Sequence, residues 1–404
     1  MTVLHFAETF SATSETFIYD YVRGLEEAGV DNRVVAYRRA NPDSRPFEDV
    51  SLVEWPGRWN LRRLWHRAEA ALGGRAVRTA TWPVLRSRLR RVVQRVEPDV
   101  VHAHFGPAGV MVAPVAEAEG IPLVTTFYGY DVSTLLGQAF WRQKYASALW
   151  PVVDAATVLS NDMRRTVVDA GCPAERVRVV HLCRDLDAFP FRPPDGLIRS
   201  LLSVGRLVDK KGHRDALRVL HNVRREGRDV HLHLIGGGPN EAALRSHARE
   251  LGVGDAITFH GKVSSEEVAQ RMAGADAFVL CSRTAPNGDR EGTPTVLIEA
   301  QAAGLPCVST RHAGIPEMIP DENHCFLAPE GDVDALTGCL LDLLDRPPED
   351  VQSVARRGRA HVENEFSLAT AVSKLRRLYR AVHPAGRTAH QEKETTRSAD
   401  PLEY

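Results

Sequence analysis

The chain of 404 residues has no run of about 18 apolar residues, so no segment reads as a bilayer-spanning helix. Its start, Met1 to Phe10, has neither a basic stretch nor a long apolar core, and reads as lacking a secretory signal. Cysteine is sparse. Six residues, at 172, 183, 281, 307, 325 and 339, show neither CxxC nor Cys/His spacing. That argues against a disulfide framework or a structural zinc site and fits reduced thiols in a cytoplasm. Net charge is almost absent: 51 basic residues face 52 acidic ones. A balance of this kind argues against a protein that wraps nucleic acid. Lysine is scarcest of all, at six of the 51 basic residues.

The neutral total conceals an island. Between Arg58 and Arg95 stand 11 arginines and one acid, Glu69. Trp59, Leu61, Leu64 and Trp65 alternate with them at helical spacing. Two readings stay open: a helix attracted to an anionic membrane face, or a solvated arginine surface over a Trp-filled core.

Short apolar runs alternate with helical spacing along the whole chain. Val34–Tyr37, Val100–Ala103, Leu123–Phe127 and Thr157–Ser160 read as buried strands. Leu61, Leu64, Trp65, Ala68 and Leu72 have helical periodicity, as do Leu85, Leu89, Val92, Val93 and Val96. The run from Phe189 to Gly196 holds three prolines and reads as a linker. A second alternation follows: Leu201–Val204, His231–Ile235, Ala256–Phe259, Ala277–Leu280 and Pro306–Ser309. The expectation is α/β: two doubly wound, Rossmann-like domains at 1–188 and 197–365, facing a central cleft. Residues 366–383 form a last helix packing back on the first domain. The polar tail 384–404 reads as disordered.

The chemistry concentrates in the second half. Thr293 and Pro294 resemble an N-cap and first helical residue, predicting a helix from Pro294 to about Ala303 whose free N–H groups suit an anion. Glu291 stands before that helix and Glu299 lies in its second turn. Carboxylates flanking an anion site suit a diphosphate with a hydroxylated group at each end. Upstream, Gly205-Arg-Leu-Val-Asp-Lys-Lys211-Gly-His213 follows the first strand of the domain. Arg206 can fork onto phosphate and Lys211 adds a compact charge. Gly236-Gly-Gly-Pro-Asn240 closes the next strand and, alone, is only a turn.

Together the GxxxxxKG pattern, the glycine turn and the Glu-x7-Glu pair resemble family 4 of the retaining glycosyltransferases, which have the GT-B fold. The resemblance continues through Thr310 to Glu317. The wording GDREGTP, EAQAAGLP and STRHAGIPE, with Ser14-Glu-Thr-Phe-Ile18 and His102-Ala-His-Phe-Gly106, is most similar to bacterial exopolysaccharide enzymes of the colanic-acid and amylovoran type. The resemblance implies that Arg206 and Lys211 hold the donor diphosphate, with Gly205 and Gly236 close to it. It implies that Glu299 holds ribose hydroxyls, and that Glu291 with Gly292, Thr293 and Pro294 holds the donor sugar. Thr295 and Leu297, with Lys262 and Val263, would lie near the nucleotide. No cofactor and no metal are expected, because the cations and the helix end do that work electrostatically. Two Asp-x-Asp triplets, 185–187 and 332–334, are read as structural.

The resemblance implies that acceptor residues fall in the first domain: Ser14, Glu15, Thr16, His104, Tyr128 and Asp131. Relatives offer a His after a strand, in wording like FHGYD. Here the stretch reads Phe127-Tyr-Gly-Tyr-Asp131, so Tyr128 fills that position, and a phenol is a poor base near neutral pH. His104 is the candidate to share its role. Catalytic candidates are therefore Glu291, Arg206, Lys211, His104 and Tyr128. Cys183-Arg184 also departs from the usual Gly-Val. The expected activity is transfer of a sugar from a nucleotide-sugar to a saccharide or lipid-linked acceptor in polysaccharide biosynthesis. It would take place in the cytoplasm or at the inner membrane face, contacting anionic membrane through 58–95. Secondary-metabolite glycosylation, nucleotide-sugar hydrolysis or epimerisation, and non-catalytic binding remain open alternatives.

Overall fold

The computed structural model describes residues 1–12, 15–55, 79 and 81–383. Contacts divide the chain into two compact units. The first comprises 1–158, 164–180 and the chain from 371; the second comprises 159–163 and 181–370. The second unit thus begins before the proline-rich run, because Leu186 and Phe189 are buried in its core.

The first unit holds seven parallel strands in the order β3-β2-β1-β4-β5-β6-β7. They are β1 (Thr2–Phe10), β2 (Asp31–Arg39), β3 (Val50–Leu52), β4 (Val100–His104), β5 (Leu123–Thr126), β6 (Ala155–Val158) and β7 (Val177–Val179). Central strands are buried on both faces, so they read as continuous apolar runs rather than alternating ones. β1 breaks that rule. His5 interrupts its apolar sequence, yet it is 1% exposed and pairs in register with His102 of β4. The sequence run Thr157–Ser160 is placed two residues late. β6 ends at Val158, and the Ser160 hydroxyl instead accepts from the Met163 amide at the start of the next helix.

The second unit holds six parallel strands in the order β10-β9-β8-β11-β12-β13. They are β8 (Ser200–Val204), β9 (His231–Ile235), β10 (Ile257–Gly261), β11 (Ala277–Leu280), β12 (Cys307–Thr310) and β13 (Leu327–Ala328). In each sheet the order reverses at its first strand, between β1 and β4 and between β8 and β11. Ligands bind doubly wound sheets at such a point, beyond the carboxyl ends of the strands. The helix expected over 366–383 runs from Leu368 to Val382, and its length from Ala371 belongs to the first unit. Among the described residues no helix is long and apolar enough to cross a membrane.

Candidate active site

In the second unit, the loops after β8, β9, β10 and β11 meet at the carboxyl edge. Glycine makes the meeting possible. Gly236 has φ +140°, and a Cβ there would lie 1.8 Å from the Gly205 carbonyl oxygen. Gly212 has φ +63°, and a Cβ there would lie 1.7 Å from the Cys281 carbonyl oxygen. No side chain fits either place. The loops are then stitched together: the Gly205 amide donates to Ile235 O at 2.9 Å, and the Leu207 amide to Gly237 O at 3.1 Å. The Lys262 stem packs against Gly237.

Lys211 and Glu291 face each other on this edge. Lys211 Nζ lies 2.8 Å from Glu291 Oε1, and the two side chains are 12% and 7% exposed. Burial pushes the Glu291 carboxyl up, but the charge and hydrogen bond of Lys211, with the charge of Lys210, hold it below the usual range. A backbone brace fixes Glu291 further. Its amide donates to His312 Nε2 at 3.1 Å, so the His312 proton sits on Nδ1, which donates to Glu330 Oε2 at 2.7 Å. Lys210 Nζ ties the same loop down through Asp289 (3.1 Å) and the Arg290 carbonyl (3.2 Å). Arg206 is exposed, its carbonyl accepting from His213 Nε2.

The helix after Glu291 differs from expectation at its start. It runs Thr295–Ala303, with Pro294 at the cap position (φ −70°, ψ 95°) and no capping side chain. Thr293 Oγ1 is buried without a hydrogen-bond partner, so Thr293 does not cap. Leu297 also departs from its expected place near the nucleotide. Its side chain is fully buried in the core, and its amide donates to Pro294 O. Thr295, Gly292 and Val263 are half-buried and Lys262 is exposed. Glu299 is 4% exposed, and both guanidinium contacts of Arg184 fall on its Oε1, that from Nε at 2.7 Å. The Asp-x-Asp triplets make local bonds: Asp332 caps the next helix through the Ala335 amide, and Asp185 Oδ1 accepts from the Asp187 amide.

A second cluster lies in the first unit. Tyr128 follows β5, half-buried, its ring 4.5 Å from that of Phe17 and 4.7 Å from that of Phe105. Its hydroxyl meets His104 Nδ1 at 2.7 Å. His104 is fully buried, so it stands behind Tyr128 rather than facing an acceptor. Asp131 also differs from its expected role as an acceptor-binding residue. It is 1% exposed, and its oxygens accept from the amides of Gly106, Tyr128 and Gly129, each at 3.0 Å. Burial raises its carboxyl to about 6 against those three donors. Asp131 therefore shapes the loop that presents Tyr128. Glu15 precedes the helix Thr16–Glu27 without a capping side-chain bond; Ser14 lies outside the described residues.

Nothing in the sequence marked His5, Asn32 and Tyr379 as a polar cluster with His102 and His104. One nitrogen each of His5, His102 and His104 lie within 4.8 Å of one another. All six ring nitrogens have hydrogen-bond partners. Their spacing along β1 and β4 was visible, but the pairing of these strands was not.

Residues 56–78 and 80, most of the arginine island with Trp59, Leu61, Leu64 and Trp65, lie outside the described residues. The described part is the helix Trp82–Val96. There Arg86 holds the carbonyls of Val110 and Met111, Arg90 pairs with Glu119, and Arg95 donates to Ser51.

Known proteins match both halves. The model of Glycosyltransferase Family 4 matches residues 14–188, and that of Glycosyl transferases group 1 matches 197–361. The colanic acid biosynthesis glycosyltransferase WcaL of Salmonella typhimurium is 30% identical over 394 residues, 91% of this chain and 96% of that protein. The chain belongs to glycosyltransferase family 4. Another relative in the family is the amylovoran biosynthesis glycosyltransferase AmsK of Erwinia amylovora, 34% identical over 69% of each chain. This glycosyltransferase also shares its fold with Anabaena HepE, solved in complex with UDP and glucose. The TM-score is 0.72 at 17% identity, over 94% of this chain and 99% of that one. Sucrose-phosphate synthase from Thermosynechococcus elongatus aligns with a TM-score of 0.70 at 17% identity, over 95% and 100%.

Proposed function

We propose that this enzyme moves a sugar from a nucleoside-diphosphate sugar to a saccharide or lipid-linked saccharide in exopolysaccharide biosynthesis, with retention of anomeric configuration and without a metal. One observation carries the reading: the Lys211–Glu291 pair, held at the carboxyl edge by glycine-only loops beside the N-terminus of helix Thr295–Ala303. Lys211, Arg206 and the helix end supply positive potential for a diphosphate, and Glu291 supplies an acceptor for sugar hydroxyls. Glu299 would take the ribose hydroxyls, with Val263 and Lys262 beside the nucleotide.

In the reaction the bond from the anomeric carbon to the diphosphate oxygen breaks, and its electron pair leaves with the nucleoside diphosphate. Lys211 and Arg206 stabilise that developing charge, which is where preorganised cations lower a barrier most. The acceptor oxygen bonds to the anomeric carbon from the same face. Its proton passes to the departing phosphate oxygen, so no strong protein base is required. Tyr128, Glu15 and Thr16 of the first unit would orient the acceptor.

HepE was solved with UDP and glucose, and a relative 29% identical over 318 residues is a GDP-mannose-dependent mannosyltransferase. UDP-glucose and GDP-mannose are accordingly the first donors to test. The assay is product analysis with a saccharide acceptor: a glycoside supports transfer, while free sugar or an epimer contradicts it.

A further inference from the structure

The cluster behind Tyr128 contains enough one-way hydrogen bonds to fix each proton along the path from Asn32 through His5 and His104 to Tyr128. The chain starts at Asn32, 1% exposed at the second residue of β2. Its Nδ2 donates to two backbone carbonyls, Val22 O at 3.2 Å and Val30 O at 3.1 Å. Carbonyls only accept, so the Asn32 amide cannot be turned over, and its Oδ1 points at His5. His5 Nε2 lies 3.0 Å from that oxygen and must donate to it. A neutral imidazole carries one proton, so His5 Nδ1 is an acceptor. His104 Nε2, 3.1 Å away, must supply that bond, which leaves His104 Nδ1 as an acceptor too. The partner of His104 Nδ1 is the Tyr128 hydroxyl at 2.7 Å, and its hydrogen must therefore point inward.

Neutrality of the imidazoles follows from their surroundings. His5, His102 and His104 are 1%, 1% and 0% exposed, and burial lowers His5 to about 4 and the other two well below the ordinary value. His102 sits between the hydroxyls of Tyr379 and Thr126, each at 2.6 Å, and either tautomer satisfies it. It therefore does not disturb the direction set by Asn32.

We propose that Asn32 and His5 are positioning residues that, through His104, commit the Tyr128 phenol to accept a hydrogen bond from the acceptor rather than donate one to it. This rests on the reading that Tyr128 meets the acceptor sugar. The consequence is a selection rule. The acceptor group at Tyr128 must be a hydroxyl that donates; a carboxylate or phosphate there would oppose a phenol oxygen that has no hydrogen to offer. Neutral saccharide hydroxyls fit and acidic groups at that position do not. A histidine in the same place could present either a donor or an acceptor. The tyrosine presents one.

The test uses the full chain labelled with ¹⁵N-histidine, in which long-range ¹H–¹⁵N correlation spectra read each tautomer directly. Signals are assigned with His5→Gln, or, should that chain not fold, by the perturbation that Tyr128→Phe causes at His104. At pH 7 both His5 and His104 are expected neutral with the proton on Nε2. A proton on Nδ1 of either ring, an imidazolium, or a metal-ligated pattern overturns the proposal whatever the enzyme does. The second arm measures transfer. Tyr128→Phe should raise the acceptor KM by about tenfold, the scale of one lost hydrogen bond, with donor-nucleotide affinity unchanged by calorimetry. Asn32→Leu should let Nδ1–H forms appear on both rings and move the acceptor KM in the same direction. Predicted tautomers with an unchanged KM in Tyr128→Phe would instead sink the placement of Tyr128 at the acceptor, and the selection rule with it.

Discussion

Lys211 and Glu291, 80 positions apart in sequence, form one nearly buried ion pair, 2.8 Å from Nζ to Oε1. Each was assigned a separate part of the donor, diphosphate for one and sugar for the other. On the proposed reading the pair unites them: the cation that would meet the leaving group also fixes the carboxylate that would meet the sugar. Removing either partner strands a buried charge. Lys211→Ala and Glu291→Ala should each lower turnover by at least about 100-fold, the scale of one preorganised charge contact. The double variant should lose much less than the product of the two, because the residues act as one unit. Steady-state kinetics of the three variants checks this, and simple multiplicativity would mean that the two act independently.

Arg184 places two guanidinium nitrogens on Oε1 of Glu299. On the proposed reading Oε2 is the oxygen for a ribose hydroxyl, and Arg184 keeps the carboxylate aimed. Arg184→Ala should weaken nucleotide binding by about tenfold. It should also shrink the preference for a ribonucleotide over its 2′- and 3′-deoxy forms. Calorimetry with the three nucleotides measures both; a preference left intact would make Arg184 a purely structural partner.

The loop crossing at Gly236 tolerates no Cβ, since the obstruction is the Gly205 backbone and φ is +140°. Gly236→Ala should destabilise the chain on the order of 2 kcal/mol and reduce nucleotide binding. Gly227 has φ +80° but open space around it, so Gly227→Ala should cost only about 1 kcal/mol. Urea unfolding of the two variants makes the comparison.

Acid should destabilise the first unit. His5 titrates near 6.5 when unfolded and at about 4 when folded, because burial disfavours its charged form. Between those values the unfolded chain binds more protons, so the stability that His5 contributes is full above pH 6.5 and is lost as pH falls toward 4. His102 and His104 shift in the same direction. The urea midpoint should therefore drop from pH 7 to pH 5, and less steeply in His5→Gln. An equal slope in that variant would assign the acid sensitivity elsewhere.

The two readings of the arginine island, a face for anionic lipid or a solvated surface, are separated by one experiment, and the lipid reading makes the prediction. Flotation should carry the protein with vesicles containing phosphatidylglycerol at low salt and not with neutral ones. No flotation at low salt contradicts the prediction.

Much of the donor side was legible because its residues are close in sequence to the strand ends that carry them. Gly205 to Gly212, Gly236 and Glu291 to Glu299 each announce a loop or a helix start. Bonds across the sheet were not legible. Arg184 on Glu299, Glu330 on His312 and Asn32 on His5 depend on which strands and loops become neighbours, and no local period encodes that. β1 was overlooked for a related reason. His5 interrupts its apolar run, and only the partners of that histidine explain why it is buried. Asp131 is placed at the acceptor by the resemblance alone; its three amide donors appear only once the loop has closed. Pro294 occupies the cap position expected of Thr293, a displacement of one residue that local chemistry alone does not resolve.

The most direct measurement is a transfer assay with purified enzyme, a donor chosen from UDP-glucose and GDP-mannose, and a neutral saccharide acceptor, read by the anomeric ¹H coupling of the product. A glycoside with the anomeric configuration of the donor, formed in the presence of excess chelator and lost in Glu291→Ala, is the predicted result. An inverted glycoside, free sugar alone, or undiminished transfer by Glu291→Ala would contradict it.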